Sequence, residues 1–195
     1  MEDVKEVKQG ISAGVVKKIG AFTKDEFSKK SRQILSRLYD FANFMEARVV
    51  LLYLSKPGEV DTRNIITYCF NKNKVVVMPS DDTSRKDMKL LKLNDPCADF
   101  VIGPKGDMVP DTNRCRQVPI DSVEIAVVPG LVFDEKGARI GLGNGFYDKL
   151  IPRLPATTRK VSLAFEDQII AQIPKGSVDR HVDIIITENR VLYKI

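Results

Sequence analysis

The stretch "RVVLLYLSKPGEVDTRNIITYCFNKNKVVVMPS", residues 48–80, decides the fold. It opens on the apolar run "RVVLLYLS" and closes on a second one, "KVVVMPS". Between them "DTRNIITYCFNKN" reads as a short helix capped by Asp61 or Thr62. Strands that are apolar without alternation are covered on both faces. Two of them joined through a helix predict a parallel β-α-β unit.

Working outward, "EIAVVPG" (124–130), "KVSLAF" (160–165) and "VDIIITE" (182–188) repeat the continuous pattern, and "MKLLKL" (88–93) reads as a strand nearer the sheet edge. The first 47 residues read as helix. In "DEFSKKSRQILSRLYDFANFMEA" (25–47), Phe27, Ile34, Leu38, Phe41 and Met45 recur at helical spacing, and Thr23 with Glu26 makes a capping box. "VKEVKQGISAGVVKKIGAF" (4–22) is a weaker amphipathic helix, interrupted by Gly10 and Gly14. The expected fold is a three-layer α/β/α arrangement with a largely parallel central sheet and an N-terminal helical pair. No Ser/Gly linker or internal repeat divides residues 1–195, so a single domain is expected. The Pro- and Asp-rich stretch 94–121 reads as an ordered excursion.

No segment approaches the roughly 18 uncharged apolar residues of a membrane span, and "MEDVKEVKQG" is charged where a secretory leader would be apolar. A cytoplasmic protein is expected. Cys69, Cys97 and Cys115 are odd in number and widely spaced, which suits reduced thiols and neither a disulfide framework nor a zinc site. The net charge of +5 favours an anionic partner. In the basic helix "KDEFSKKSRQILSR" acids are interspersed and stacking aromatics are lacking, which argues against a nucleic-acid module.

Ligands of open α/β sheets sit beyond the carboxyl ends of the strands. There the chain carries Glu59 after the first run, Glu166 and Gln168 after "KVSLAF", Asp179 ahead of the last run, and "RIGLGNGFYDKL" (139–150) after "EIAVVPG". Glycines at 141, 143 and 145 let successive backbone N–H groups face one concavity. The helical look of "FYDKLI" behind them, and Arg139 in front, make phosphate the expected occupant. A tight turn is the plainer alternative. The spacing fits neither the dinucleotide fingerprint nor the P-loop.

"VVPGLVFDEKGARIGLGNGFYDKLIPRL" (127–154) resembles the signature of the 5-formyltetrahydrofolate cyclo-ligase family, also called methenyltetrahydrofolate synthetases. "YLSKPGEVDTRNII", "VVVMPS", "VSLAFEDQIIAQIP" and "VDRHVDIIITE" are similar to its further segments, in order along nearly the whole chain. The resemblance implies ATP- and Mg2+-dependent conversion of 5-formyltetrahydrofolate to 5,10-methenyltetrahydrofolate; a monomer is expected, with neither nucleic acid nor membrane as partner. It implies Arg139 and Tyr147 as catalytic residues. ATP would be held by Lys8, Arg139, Gly141, Leu142, Gly143, Asn144, Gly145, Phe146 and Tyr147. Leu54, Glu59 and Leu142 through Phe146 would contact the folate, and Asp148 and Asp179 would hold magnesium. His181, the only histidine, is expected at the surface or a strand edge.

The chain departs from the family pattern at Ser12, where the first helix usually has an arginine, at Val109 and Val178, and at Phe146, where a tyrosine is usual. These changes leave open a divergent homologue that binds nucleotide or folate without catalysis.

Overall fold

The computed structural model describes residues 2–82, 87–103, 106–141, 145–174 and 180–194. Three helices come first: α1 (Glu2–Gly20), α2 (Lys24–Tyr39) and α3 (Ala42–Glu46). The Thr23 hydroxyl accepts from the Glu26 amide, and the Glu26 carboxylate accepts from the Thr23 amide at 2.8 Å, so the expected capping box forms. The helix expected to run on through Met45 breaks instead. Asp40 closes α2, and Phe41 is extended at φ −77°, ψ 117°. The break re-phases the chain: Phe44 becomes fully buried, and Met45, expected on the apolar face, is 57% exposed.

Next come β1 (Val49–Leu51), α4 (Arg63–Asn71), β2 (Val75–Asp82), β3 (Asp87–Lys92), β4 (Phe100–Ile102), β5 (Met108–Pro110), β6 (Arg116–Val118) and β7 (Ile125–Val127). Then follow β8 (Val132–Asp134), β9 (Arg139–Ile140), α5 (Phe146–Leu150), β10 (Arg159–Leu163), β11 (Ile169–Ile170), β12 (Ile184–Ile186) and β13 (Val191–Tyr193). The main sheet has the order β13-β12-β10-β7-β1-β2-β3-β6. Its five central strands, β12 to β2, are parallel, as their continuous apolar runs require; β13, β3 and β6 are antiparallel edges. "MKLLKL" is thus near the edge, as expected.

Successive sheet residues serve opposite faces. Val50, Val76, Val127 and Ile186 pack in one apolar cluster with Ile34, Leu38 and Ile65 of the helices; Leu51, Val77, Ala126 and Ile185 pack in a second with Leu150, Ile151 and Leu154. The second helical layer is slight, because α5 has five residues and continues only as a 3-10 turn over Ile151–Arg153. A small sheet, β11-β8-β9, and the hairpin β4-β5 stand outside the main sheet. The stretch 94–121 is ordered where described and returns to the main sheet through β6.

The chain leaves β1 through α4 towards β2, whereas from β7, on the other side of β1, it proceeds to β10 and β12. The carboxyl ends of β1 and β7 therefore flank the point where the strand order reverses, the crevice in which such sheets hold ligands. Thr23→Ala, which removes the cap of α2, should lower unfolding free energy by about 1 kcal/mol. Urea denaturation with an unchanged m-value is the measurement.

Candidate active site

A cavity of about 720 Å³ opens at this crevice. Tyr53 and Leu54, directly after β1, form one wall, and the following turn supplies Glu59. That turn is held by its own atoms. The Lys56 amide donates to Glu59 Oε2 at 2.7 Å, and the Glu59 amide donates back to the Lys56 carbonyl at 3.0 Å. Thr62 closes the segment: its hydroxyl donates to the Tyr53 carbonyl at 2.6 Å and accepts from the Ser55 amide at 2.9 Å. Thr62 occupies the N-cap position of α4, but its hydroxyl is spent on this closure, and Asp61 Oδ1 accepts from the Arg63 amide at 3.0 Å.

The facing wall comes from β7, β9 and α5. Arg139, on β9, has a side chain only 2% exposed. Its Nη1 donates to the Pro129 carbonyl at 3.0 Å and its Nη2 to Asp148 Oδ1 at 2.6 Å, while Nε has no partner among the described residues. Burial pulls the guanidinium below its ordinary pKa, opposed by the charge of Asp148. It stays charged, because an arginine titrates far above neutrality. Gly141 is required by this arrangement: a Cβ there would lie 2.9 Å from Arg139 Nη1. Gly145 has φ +64° at the N-cap of α5, a conformation glycine adopts without steric cost.

Tyr147 and Asp148, from α5, line the same space. The Phe146 and Tyr147 rings meet edge to face at 5.3 Å. Glu59 Oε1 is buried and has no partner among the described residues, and burial raises the Glu59 pKa. Burial, reinforced by the charge of Glu59, also raises the phenols of Tyr53 and Tyr147. The hairpin β4-β5 roofs the cavity with Phe100, Met108, Val109 and Pro110, and Asp107 Oδ2 stands 4.0 Å from Lys56 Nζ.

Leu54, Glu59, Arg139, Gly141, Gly145, Phe146, Tyr147 and Asp148 therefore meet at one cavity. Leu142, Gly143, Asn144 and Asp179 lie outside the described residues. Lys8 and Ser12, half-buried on α1, are not among the cavity's lining residues. Exposed His181 forms an isolated bridge with Ala138, at a strand edge as expected. The short α5 makes the helix contribution to an anion site smaller than expected. Sequence reasoning missed Tyr53 and the hairpin wall. Tyr53 reads as part of an apolar strand run, and the hairpin strands are not continuously buried, Val101 and Ile102 being exposed.

An α/β sheet with a cavity at its switch point, holding a desolvated cation beside carboxylates, defines an enzyme-type site for an anionic substrate. Comparison with known proteins narrows the class. The family model for the 5-formyltetrahydrofolate cyclo-ligase family matches residues 4–188, and the chain belongs to that family. It is 25% identical to the 5-formyltetrahydrofolate cyclo-ligase of Mus musculus, over 95% of this chain and 96% of the relative. It is 24% identical to that of Escherichia coli K12, over 88% and 94%. The Aquifex aeolicus 5,10-methenyltetrahydrofolate synthetase superposes with a TM-score of 0.85 at 28% identity, covering 96% of this chain and 93% of that one. The chain is thus an enzyme, a cyclo-ligase of folate metabolism.

Glu59 gives a signed prediction. A carboxyl with a raised folded pKa loses stability as pH rises from its unfolded value, near 4.5, through the folded one. Glu59→Gln should therefore raise Tm at pH 7 to 8, with the gain fading as pH falls through the raised folded pKa and lost below about 4.5, where the wild-type carboxyl is protonated in both states. Calorimetry across pH 4 to 8 checks it, and an unchanged gap would contradict it.

Proposed function

We propose that this enzyme converts 5-formyltetrahydrofolate to 5,10-methenyltetrahydrofolate with ATP and magnesium, releasing ADP and phosphate, as a cytoplasmic monomer of one domain. The observation that supports it most is the meeting of buried Arg139 with Asp148, Glu59 and Tyr147 around one cavity.

A formamide oxygen is a poor leaving group. It bonds to the γ-phosphorus as the bond to ADP breaks; N10 of the folate then attacks the formyl carbon and loses its proton, and the C–O bond breaks to release phosphate. Such a sequence asks for positioning and charge neutralisation, which a fixed guanidinium and a cavity wall supply. Glu59 accepts N–H groups of the pterin through Oε1, which is buried and has no partner among the described residues. Leu54 packs on the ring, and Tyr147 orients it. The backbone from Gly141 to Phe146, Leu142, Gly143 and Asn144 included, cradles the phosphates, and Lys8 adds charge from α1.

Asp148 fits magnesium as a one-third exposed carboxylate on the cavity, with Asp179 as its proposed companion. Magnesium takes one or two carboxylates and otherwise phosphate and water, so this pair would suffice. When bound, the ion neutralises developing phosphoryl charge. A phosphate oxygen that took Nη2 of Arg139 would compete with Asp148 for it, and the Asp148 carboxylate would then be available to hold the ion.

The formation of methenyl product, followed by absorbance with ATP, magnesium and 5-formyltetrahydrofolate, tests the reading; folded protein without turnover would overturn it. Arg139→Lys should lower kcat/KM by about 10² to 10³, the range for loss of one preorganised charge-stabilising donor. Asp148→Asn should bind magnesium-free ATP more tightly than wild type yet gain no further affinity from magnesium, measured by titration calorimetry.

A further inference from the structure

We infer that Gln168 is a positioning residue for Arg139, an assignment that rests on the reading of Arg139 as the phosphate grip. Gln168 closes the 3-10 turn Glu166–Gln168 after β10 and is 3% exposed. Its carboxamide is used at both ends. Oε1 accepts from the Phe165 amide at 2.8 Å, and Nε2 donates to the Leu131 carbonyl at 3.0 Å and the Gly130 carbonyl at 3.4 Å. Only this orientation satisfies both sides, since the acceptor faces an N–H and the donor faces two carbonyls.

The carbonyls it holds belong to the turn that supplies Arg139 with its neutral anchor. Pro129, one residue earlier, accepts from Arg139 Nη1 at 3.0 Å. From the other side the Leu131 amide donates to the Ile140 carbonyl at 2.7 Å, tying the turn to the strand that carries Arg139. The backbone repeats the connection. Ile169, next to Gln168, is in register with Phe133, and Phe133 with Arg139. One buried side chain thus couples the end of β10 to the direction in which the Arg139 guanidinium points. A guanidinium held at two nitrogens presents a fixed fork, and its value as a phosphate grip depends on that direction.

Gln168→Glu keeps the acceptor for Phe165 and sets a second oxygen against the carbonyls of Gly130 and Leu131. Gln168→Met keeps the volume and removes both polar groups, and replaces the first variant should that one unfold. The probe is inorganic triphosphate, followed by titration calorimetry, in the wild-type and Arg139→Lys backgrounds. We expect about tenfold weaker binding in the wild-type background, the scale of a lost buried hydrogen bond, and less than a twofold change in the Arg139→Lys background. The Kd for 5-formyltetrahydrofolate, contacted through the Glu59 turn, should stay within twofold. Equal losses in both backgrounds, or equal losses for triphosphate and folate, would make Gln168 a general structural residue and overturn the assignment. If Arg139→Lys alone leaves triphosphate affinity unchanged, the phosphate role of Arg139 itself falls, and the two failures are told apart.

Discussion

A guanidinium that cannot shed its charge is held almost wholly out of water at Arg139, and the site depends on that constraint. An unpaired charge in such a place would be very costly. The chain meets the cost with the Pro129 carbonyl, the Asp148 carboxylate and a glycine at 141 where any side chain would strike the guanidinium. The same desolvation makes the cation a strong point of attraction for an anion, because little solvent screens it. Nε has no partner among the described residues, so the group is anchored without being saturated.

The outline of this architecture is legible in the sequence, for a plain reason. Five central strands are buried on both faces and write themselves as uninterrupted apolar runs, and the capping box at Thr23 announces α2. The strands of the small sheet are another matter, because no long apolar run marks them. The pairing of β8, β9 and β11 is set by side chains acting at a turn. Asp134 Oδ1 accepts from the Lys136 and Ala138 amides, and its Oδ2 from the Ile173 amide. The break at Asp40 was illegible for a similar reason: the heptad-like spacing runs on through Met45, and only tertiary packing selects Phe44 instead.

At the site, the residue types were legible and their mutual arrangement was not. Arg139 and Asp148 read separately as a phosphate cation and a metal carboxylate; in the fold they are partners at 2.6 Å. Glycine 141 read as part of an anion nest, yet its missing Cβ makes room for an arginine two residues away. In each case the sequence displays a chemical capacity, and the fold decides what that capacity is first spent on. Lys8, a phosphate cation by resemblance, is not among the residues that line the cavity.

Two carboxylates of the cavity, Asp148 and Glu59, are kept in opposite condition by their surroundings. Asp148 is one-third exposed and has a guanidinium beside it, so its negative charge is compensated before any ligand arrives. Glu59 is tied to a backbone amide by one oxygen, the other is buried with no partner among the described residues, and burial makes its ionised form expensive. An acceptor left wanting in a dry wall gains most from a ligand that brings N–H groups to it, since the ligand removes a penalty already present in the free protein. A compensated carboxylate gains little from a donor and yields instead to an exchange of partners. The cavity therefore presents two unlike surfaces: a carboxylate oxygen wanting donors beyond the end of β1, and a compensated ion pair at β9 and α5.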